Sequence, residues 1–343
     1  MGKKLVVVGA GSWGTALASL AAPQCTTVIW ARSAATADEI SLRHTNERYL
    51  PGLALSDQLG ASSSLEVALE GADAVLMAVP SHGTRAVLEQ AAPLIAPGTP
   101  VFSLSKGIEA DSMLRMSQVI SEVVPQATTG VLTGPNLAAE IAQGEPAACI
   151  VACEEESAAV LVQTMLHSST LRVYTSTDVI GCEIAGATKN VLAIAAGIAA
   201  GFGFGDNTRS ALITRGLAEM GRLGITMGGQ TLTFGGLAGV GDLIATCTSE
   251  RSRNRSVGFA LGQGRDLVEI IDSMHMVAEG VKTAGPLVRL AAAEGIEMPI
   301  CEQVAQIVAG TTSPRRALLN LMDRPARVEW DETLYRGLVH DEA

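Results

Sequence analysis

Short apolar runs alternate with amphipathic stretches through the first half of the chain. "KLVVVGA" (4–10), "TTVIWAR" (26–32), "ADAVLMAVPS" (72–81) and "PVFSLSKG" (100–107) each hold a block of consecutive apolar residues bounded by Gly, Pro or polar residues. Such blocks predict buried strands. "SWGTALASLAA" (12–22), "TRAVLEQAAPLI" (84–95) and "MLRMSQVISEVV" (113–124) carry helical spacing between them. "TTGVLTGP" (128–135) ends in a loop, and "AACIVACE" (147–154) and "LRVYTSTD" (171–178) predict two further strands flanking a helix. Strand and helix in alternation predict a mostly parallel sheet covered on both faces.

After about residue 180 the period changes. Helical spacing over 183–201, 208–224, 256–262, 267–273, 283–294 and 299–309, with almost no strand signal, predicts an all-helical second domain. The expected fold class is α/β with two domains. The expected division puts the sheet domain at residues 1–183 and the helical domain at residues 184–343. A cleft between domains is a preferred place for a ligand.

The first candidate chemistry is "GAGSWG" (9–14), a GxGxxG that follows the first strand and opens the first helix. In that setting Gly9 makes the tight turn, Gly11 admits a pyrophosphate and Gly14 lets helix and strand pack closely. The helix N-terminus attracts the phosphates. The second strand ends "WAR", and no acid follows until Asp38. Arg32 therefore stands where a ribose 2′-phosphate would be met, which favours NADPH over NADH.

Composition narrows the rest. A net charge of −11 argues against nonspecific binding to nucleic acid and requires local positive charge wherever an anion binds. The six cysteines form no CxxC pair and read as reduced thiols, and the five histidines form no HxxxH, so no metal site is expected. The N-terminus has two lysines and an apolar stretch, as a signal peptide has, but its glycines fit the fingerprint better. The uncharged run from Val191 to Gly205 is too short to span a bilayer. A cytoplasmic protein without membrane insertion is expected. The tail from "SPRRALLNLM" onward reads as a surface helix and a loose end without an assignable role.

One residue resists a purely structural reading. Lys189, in "GATKN" (186–190), stands at the edge of the apolar run, and an unpaired ammonium is costly to bury. A salt bridge or a helix-end charge would explain it, and so would a cleft whose chemistry needs a lysine.

The motifs together resemble bacterial NAD(P)-dependent glycerol-3-phosphate dehydrogenase. The resemblance is carried by "GAGSWGTALA" (9–18), "VPSHGTR" (79–85), "SLSKGIE" (103–109), "LTGPNLAAEIA" (132–142), "DVIGCEIAGATKNVLAIAAGI" (178–198), "GLAGVGDLIATCTSERSRN" (236–254) and "VAEGVKTA" (277–284). It implies a Rossmann domain followed by a helical domain, a homodimer, and reversible hydride transfer between NADPH or NADH and a small phosphorylated ketone. That ketone is dihydroxyacetone phosphate, and its product, sn-glycerol 3-phosphate, is a precursor of glycerophospholipids.

By the same resemblance Lys189 is the proton donor and acceptor, touching substrate. Lys106 contacts substrate and cofactor. Gly134, Asn136, Asp242, Ser252, Arg253 and Asn254 hold the substrate, although the family more often has Ser or Thr where this chain has Asn136. Ser12, Trp13, Arg32, Ala138, Arg253, Val277 and Glu279 match cofactor positions. Two alternatives stay open at this point. A ketoacid or opine-type dehydrogenase would need a carboxylate site rather than the "SRN" cluster. A dinucleotide sensor would have no use for Lys106, Lys189 and Asp242 together.

Overall fold

The apolar runs of the first half form one eight-stranded sheet in the computed structural model, which describes residues 2–274, 278–326 and 329. The chain divides into two compact units, Met1–Ser105 with Met116–Val179, and Lys106–Arg115 with Ile180–Ala343.

In the first unit the strands are β1 (Lys4–Val8), β2 (Thr26–Trp30), β3 (Gly60–Ser62), β4 (Ala74–Met77), β5 (Val101–Ser103), β6 (Thr129–Thr133), β7 (Ala147–Cys153) and β8 (Leu171–Ser176). Their order across the sheet is β3-β2-β1-β4-β5-β6-β7-β8. All neighbours pair in parallel except β6 and β7, where Leu132 faces Val151 in antiparallel register. The helices are α1 (Ser12–Ala21), α2 (Ala34–Asp38), α3 (Leu65–Leu69), α4 (Ser81–Ala91), α5 (Met116–Val123), α6 (Ala138–Ala142) and α7 (Glu156–Leu166). Leu5, Val6, Val7 and Val8 are all fully buried. A strand covered on both faces has no polar side to alternate with, which is why β1 reads as an unbroken apolar run. From β1 the chain winds outward through β2 and β3, then returns to place β4 on the other flank of β1. The strand order reverses there, and ligands of such sheets bind at that switch point.

Strands β3 and β5 differ from the sequence reading. The three-residue β3 was not expected, because "GAS" carries no apolar block. β5 ends at Ser103, so Lys106 does not stand at the end of a strand; it opens a segment, 106–115, that packs with the second unit.

The second unit is helical: α8 (Val179–Gly201), α9 (Asp206–Thr226), α10 (Thr231–Gly235), α11 (Asp242–Thr248), α12 (Arg253–Gly262), α13 (Leu267–Asp272), α14 (Glu279–Ala293), α15 (Pro299–Val308) and α16 (Pro314–Met322). A π-helical turn, Leu237–Gly241, leads into α11. α8 runs through the core of the unit. By length and composition it is apolar enough to cross a membrane, but most of it is buried within the protein. It begins four residues before the predicted start, so Lys189 lies in mid-helix rather than near its edge.

Candidate active site

The fingerprint turn in the first unit has the geometry its glycines imply. Gly9 has φ +121°, and a Cβ there would come within 2.7 Å of the Ala78 carbonyl oxygen, beyond the end of β4. A Cβ on Gly14 would stand 2.1 Å from the Gly9 oxygen and 2.8 Å from the Ala78 Cβ, so α1 and the two strands pack too closely for any side chain. A Cβ on Gly11, by contrast, would meet nothing within 4 Å. Gly11 caps α1 with no side-chain hydrogen bond, and Ser12, Trp13 and Gly14 form its first turn. This is a cradle of open backbone at a positive helix end, and it fits a dinucleotide pyrophosphate. Asn46, fully buried, donates from Nδ2 to the Ala10 carbonyl (3.1 Å) and the Thr15 hydroxyl (2.9 Å), fixing the turn from behind.

The other first-unit candidates lie near strand ends. Arg32 is exposed two residues after β2. Gly134 follows β6 with φ +117°, and a Cβ there would meet the Cys149 Cα at 3.1 Å. Both side-chain polar atoms of Asn136 are buried without a hydrogen-bond partner among the described residues. An amide in that state is costly and fits a position completed by a ligand. Ala138 opens α6 and packs against the apolar core.

The second unit gathers the charged candidates. Asp242, the first residue of α11, is 1% exposed and lies between two lysines. Lys189 Nζ donates to Asp242 Oδ1 at 2.7 Å, and Lys106 Nζ donates to Asp242 Oδ2 at 2.7 Å. Lys189 Nζ also donates to the Thr246 hydroxyl at 2.7 Å, and that hydroxyl lies 3.3 Å from Asp242 Oδ1. Thr246 reaches this place because it is four residues after Asp242 on one helix face. The residue at the N-cap of α11 is Gly241, so the Asp242 carboxylate is left to the two lysines.

The electrostatics follow from burial and pairing. Burial drives the Lys189 ammonium down to about 8, with the Lys106 cation acting the same way and Asp242 opposing both. Burial alone would raise the Asp242 carboxyl, but the two ammoniums outweigh it and hold it below the usual range. Burial pushes the Cys247 thiol up to about 12, so it stays neutral beside the cluster.

Around this core, Asn190 Nδ2 donates to the Lys106 carbonyl (2.8 Å), and Asn254 Nδ2 donates to Asn190 Oδ1 (2.9 Å). The Gly280 N–H donates to Asn254 Oδ1 (2.9 Å), and the Lys106 N–H donates to Glu279 Oε2 (3.2 Å). Ser252 caps α12 by accepting from the Arg255 N–H at 3.3 Å. Arg253, the first residue of α12, is exposed and faces the charge of Glu279. Lys106, Lys189, Asp242, Asn254 and Glu279 are thus one bonded network, with Ser252 and Arg253 at its α12 end. Val277 lies outside the described residues.

Comparison with known proteins decides what this arrangement belongs to. The family models for the N-terminus and the C-terminus of NAD-dependent glycerol-3-phosphate dehydrogenase match residues 4–159 and 178–319. The chain belongs to that family. It is 50% identical over 307 residues to glycerol-3-phosphate dehydrogenase [NAD(P)+] 2 of Sphingopyxis alaskensis, covering 90% of this chain and 92% of the relative. It is 49% identical over 333 residues to glycerol-3-phosphate dehydrogenase [NAD(P)+] of Geobacter metallireducens, covering 96% and 99%. Among solved structures, glycerol-3-phosphate dehydrogenase from Coxiella burnetii superposes with a TM-score of 0.90 at 38% identity, covering 94% of this chain and 99% of that one. The protein is therefore an oxidoreductase of an NAD(P)-dependent family.

Within this family frame, three polar residues were absent from the sequence reading. Thr246 was missed because no helix was predicted over 231–248, so its i, i+4 relation to Asp242 was not visible. Asn190 was overshadowed by the lysine beside it. Asn46 is contiguous with no fingerprint residue. The usable signal for all three is a small polar side chain with almost no exposure, since Thr246, Asn190 and Asn46 are 6%, 4% and 0% exposed.

Proposed function

We propose that the protein reduces dihydroxyacetone phosphate to sn-glycerol 3-phosphate with NADPH or NADH, and runs the reverse reaction, with Lys189 as proton donor and acceptor. The observation that carries this is Lys189 itself: a buried ammonium bonded to Asp242 and Thr246, with its acidity raised to about 8. Reduction of a ketone needs a hydride at carbon and a proton at the developing alkoxide. A bound reduced nicotinamide supplies the hydride. Lys189 supplies the proton: two of its three N–H groups are committed to Asp242 and Thr246, which aims the third at the substrate oxygen. Near pH 7.5 a lysine titrating at about 8 is protonated in roughly three quarters of molecules, yet it releases its proton far more readily than an ordinary lysine.

The other residues take roles their chemistry supports. Lys106 adds a second cation that keeps Lys189 acidic and meets the substrate oxygens. Asp242 holds both ammoniums in place. Arg253, Ser252 and Asn254, at the N-terminal end of α12, hold the phosphate and the hydroxyl, with a planar guanidinium suited to phosphate. Gly134 and the unpartnered amide of Asn136 complete the substrate contacts. Gly9, Gly11, Ser12, Trp13 and Gly14 take the pyrophosphate, with Ala138 and Glu279 also toward the cofactor. Arg32 favours NADPH. We assign the enzyme to the cytoplasm as a homodimer that supplies glycerophospholipid synthesis, in keeping with its family and with six cysteines that form no disulfide.

The test is nicotinamide absorbance in the presence of dihydroxyacetone phosphate, with NADPH and NADH compared. Oxidation of either cofactor supports the reading, and a kcat/KM ratio favouring NADPH supports Arg32. Cofactor binding without oxidation would rule the reading out.

A further inference from the structure

Lys106 is delivered to Asp242 by a segment with its own fastening. Residues 106–115 are a closed excursion between β5 and α5. Ile108 and Arg115 form an antiparallel bridge, the Glu109 N–H donates to the Leu114 carbonyl (3.0 Å), and the Met113 N–H donates to the Glu109 carbonyl (3.0 Å). The Ser112 hydroxyl donates to Glu109 Oε2 at 2.6 Å, and Met113 takes a left-handed conformation at φ +60°. The segment is therefore a stiff hairpin with Lys106 two residues before one strand of the bridge and Arg115 on the other.

This hairpin meets α8 at two points. Asn190 Nδ2 holds the Lys106 carbonyl, and Arg115 Nη1 donates to Glu183 Oε2 at 2.5 Å. Glu183 and Asn190 are seven residues apart, which is two helical turns, so both grip the hairpin from one face of the helix that carries Lys189. The Arg115–Glu183 pair is buried, its side chains 12% and 5% exposed. A third contact, from Arg289 Nη2 to the Ala110 carbonyl at 2.5 Å, holds the tip from α14.

We propose that Arg115 and Glu183 are positioning residues for the reaction, their buried ion pair latching the 106–115 hairpin to α8 so that Lys106 stays on Asp242. The proposal rests on the reading of Lys106 and Lys189 given above. Neutralising Glu183 removes the carboxylate that ties Arg115 to α8, so the hairpin is no longer held there. Lys106 then withdraws from Asp242. Lys189 loses a like charge while keeping Asp242, so it becomes harder to deprotonate. The titratable groups facing Lys189 are Asp242 and Cys247 on α11 and Lys106 on the hairpin, with Arg255 of α12 behind Cys247. Of these only Lys106 is carried by the latched segment.

The experiment compares wild type, Glu183→Gln and Arg115→Lys by two readouts. The first needs no turnover: acylation of Lys106 by an amine reagent in the free protein, followed by mass spectrometry, with exposed Lys282 as internal control. Lys106 labelling rises about fivefold in Glu183→Gln and Lys282 labelling stays constant. The second is kinetic: KM for dihydroxyacetone phosphate rises about tenfold, kcat falls less, and the alkaline limb of reduction moves to higher pH. Arg115→Lys keeps a cation opposite Glu183 and gives roughly threefold changes in the same directions, and it stands alone if Glu183→Gln does not fold. Folded variants with wild-type labelling and wild-type KM would overturn the latch. A wild type that labels as described but does not reduce the ketone would instead overturn the functional reading.

Discussion

At the scale of single residues, a buried lysine has to be explained by what offsets its desolvation. Lys189 is matched by one carboxylate shared with Lys106 and by one hydroxyl, so the three charged groups carry a net positive charge where an anionic substrate is expected. That arrangement makes the hydroxyl testable. Thr246→Val keeps the volume and removes an acceptor of the ammonium, so the acidity of Lys189 rises further. The alkaline limb of reduction moves to lower pH, opposite to the shift in Glu183→Gln, and kcat/KM falls about tenfold; a pH–rate profile of the variant checks both. Asp242→Asn is more severe, because the two lysines then face each other unneutralised, and kcat/KM falls by more than about a hundredfold in steady-state assays. Lys189, Asp242 and Lys106 were legible in the sequence because each sits in a dense local motif. Thr246 and Asn46 were not, because their meaning lies in what the fold brings to them: Asn46 acts on Ala10 and Thr15 from across the chain.

At the scale of elements, the position of the Ser252–Asn254 cluster depends on how closely α12 approaches α8. Gly197 and Gly201 on α8 face Gly258 and Gly262 on α12. A Cβ on Gly258 would stand 2.0 Å from the Ile194 oxygen, and one on Gly197 would stand 2.1 Å from the Arg255 oxygen. Neither neighbour is a side chain that can turn aside. Gly258→Ala forces the helices apart, at about 2–3 kcal/mol, and lowers Tm by roughly 5–10 °C in a thermal melt, with a raised KM for the phosphorylated substrate. A second element-scale device is Glu219 on α9, which accepts from the Ile300 N–H (2.7 Å) and the Cys301 N–H (3.2 Å) at the start of α15. Burial raises its carboxyl to about 7 in spite of those bonds. The folded state thus holds a proton that the unfolded chain releases near the ordinary value of 4.5, and this group's contribution weakens folding as pH climbs from 4.5 to about 7. The loss is at most roughly 3 kcal/mol. Glu219→Gln flattens that slope in denaturant unfolding at several pH values. The sequence showed the alternating strands and most helices because their apolar periods are strong. It under-read the start of α8, where Glu183 interrupts the apolar pattern, and it missed 231–248, where "FGGLAGVG" breaks the helical period although the backbone continues as α10, a π turn and α11.

At the scale of the whole molecule, an acidic chain concentrates cations in the helical unit and open backbone in the sheet unit, an arrangement suited to the anionic substrate proposed above. The change from a sheet to helices was readable from the change of period near residue 180. What the period could not show is that residues 106–115, sequentially inside the sheet half, pack with the helical unit and carry one of its lysines. Cofactor choice belongs to this scale as well, since the role proposed for Arg32 rests on the charge it presents two residues after β2. Arg32→Ala lowers kcat/KM for NADPH about tenfold and leaves NADH nearly unchanged, as paired kinetic assays will show. The central claim, that Lys189 delivers the proton during ketone reduction, is tested most directly by Lys189→Ala assayed for dihydroxyacetone phosphate reduction alongside a fluorescence titration of NADPH. The account predicts unaltered NADPH affinity and a loss of kcat/KM of about a thousandfold or more. Activity within about tenfold of wild type would contradict it.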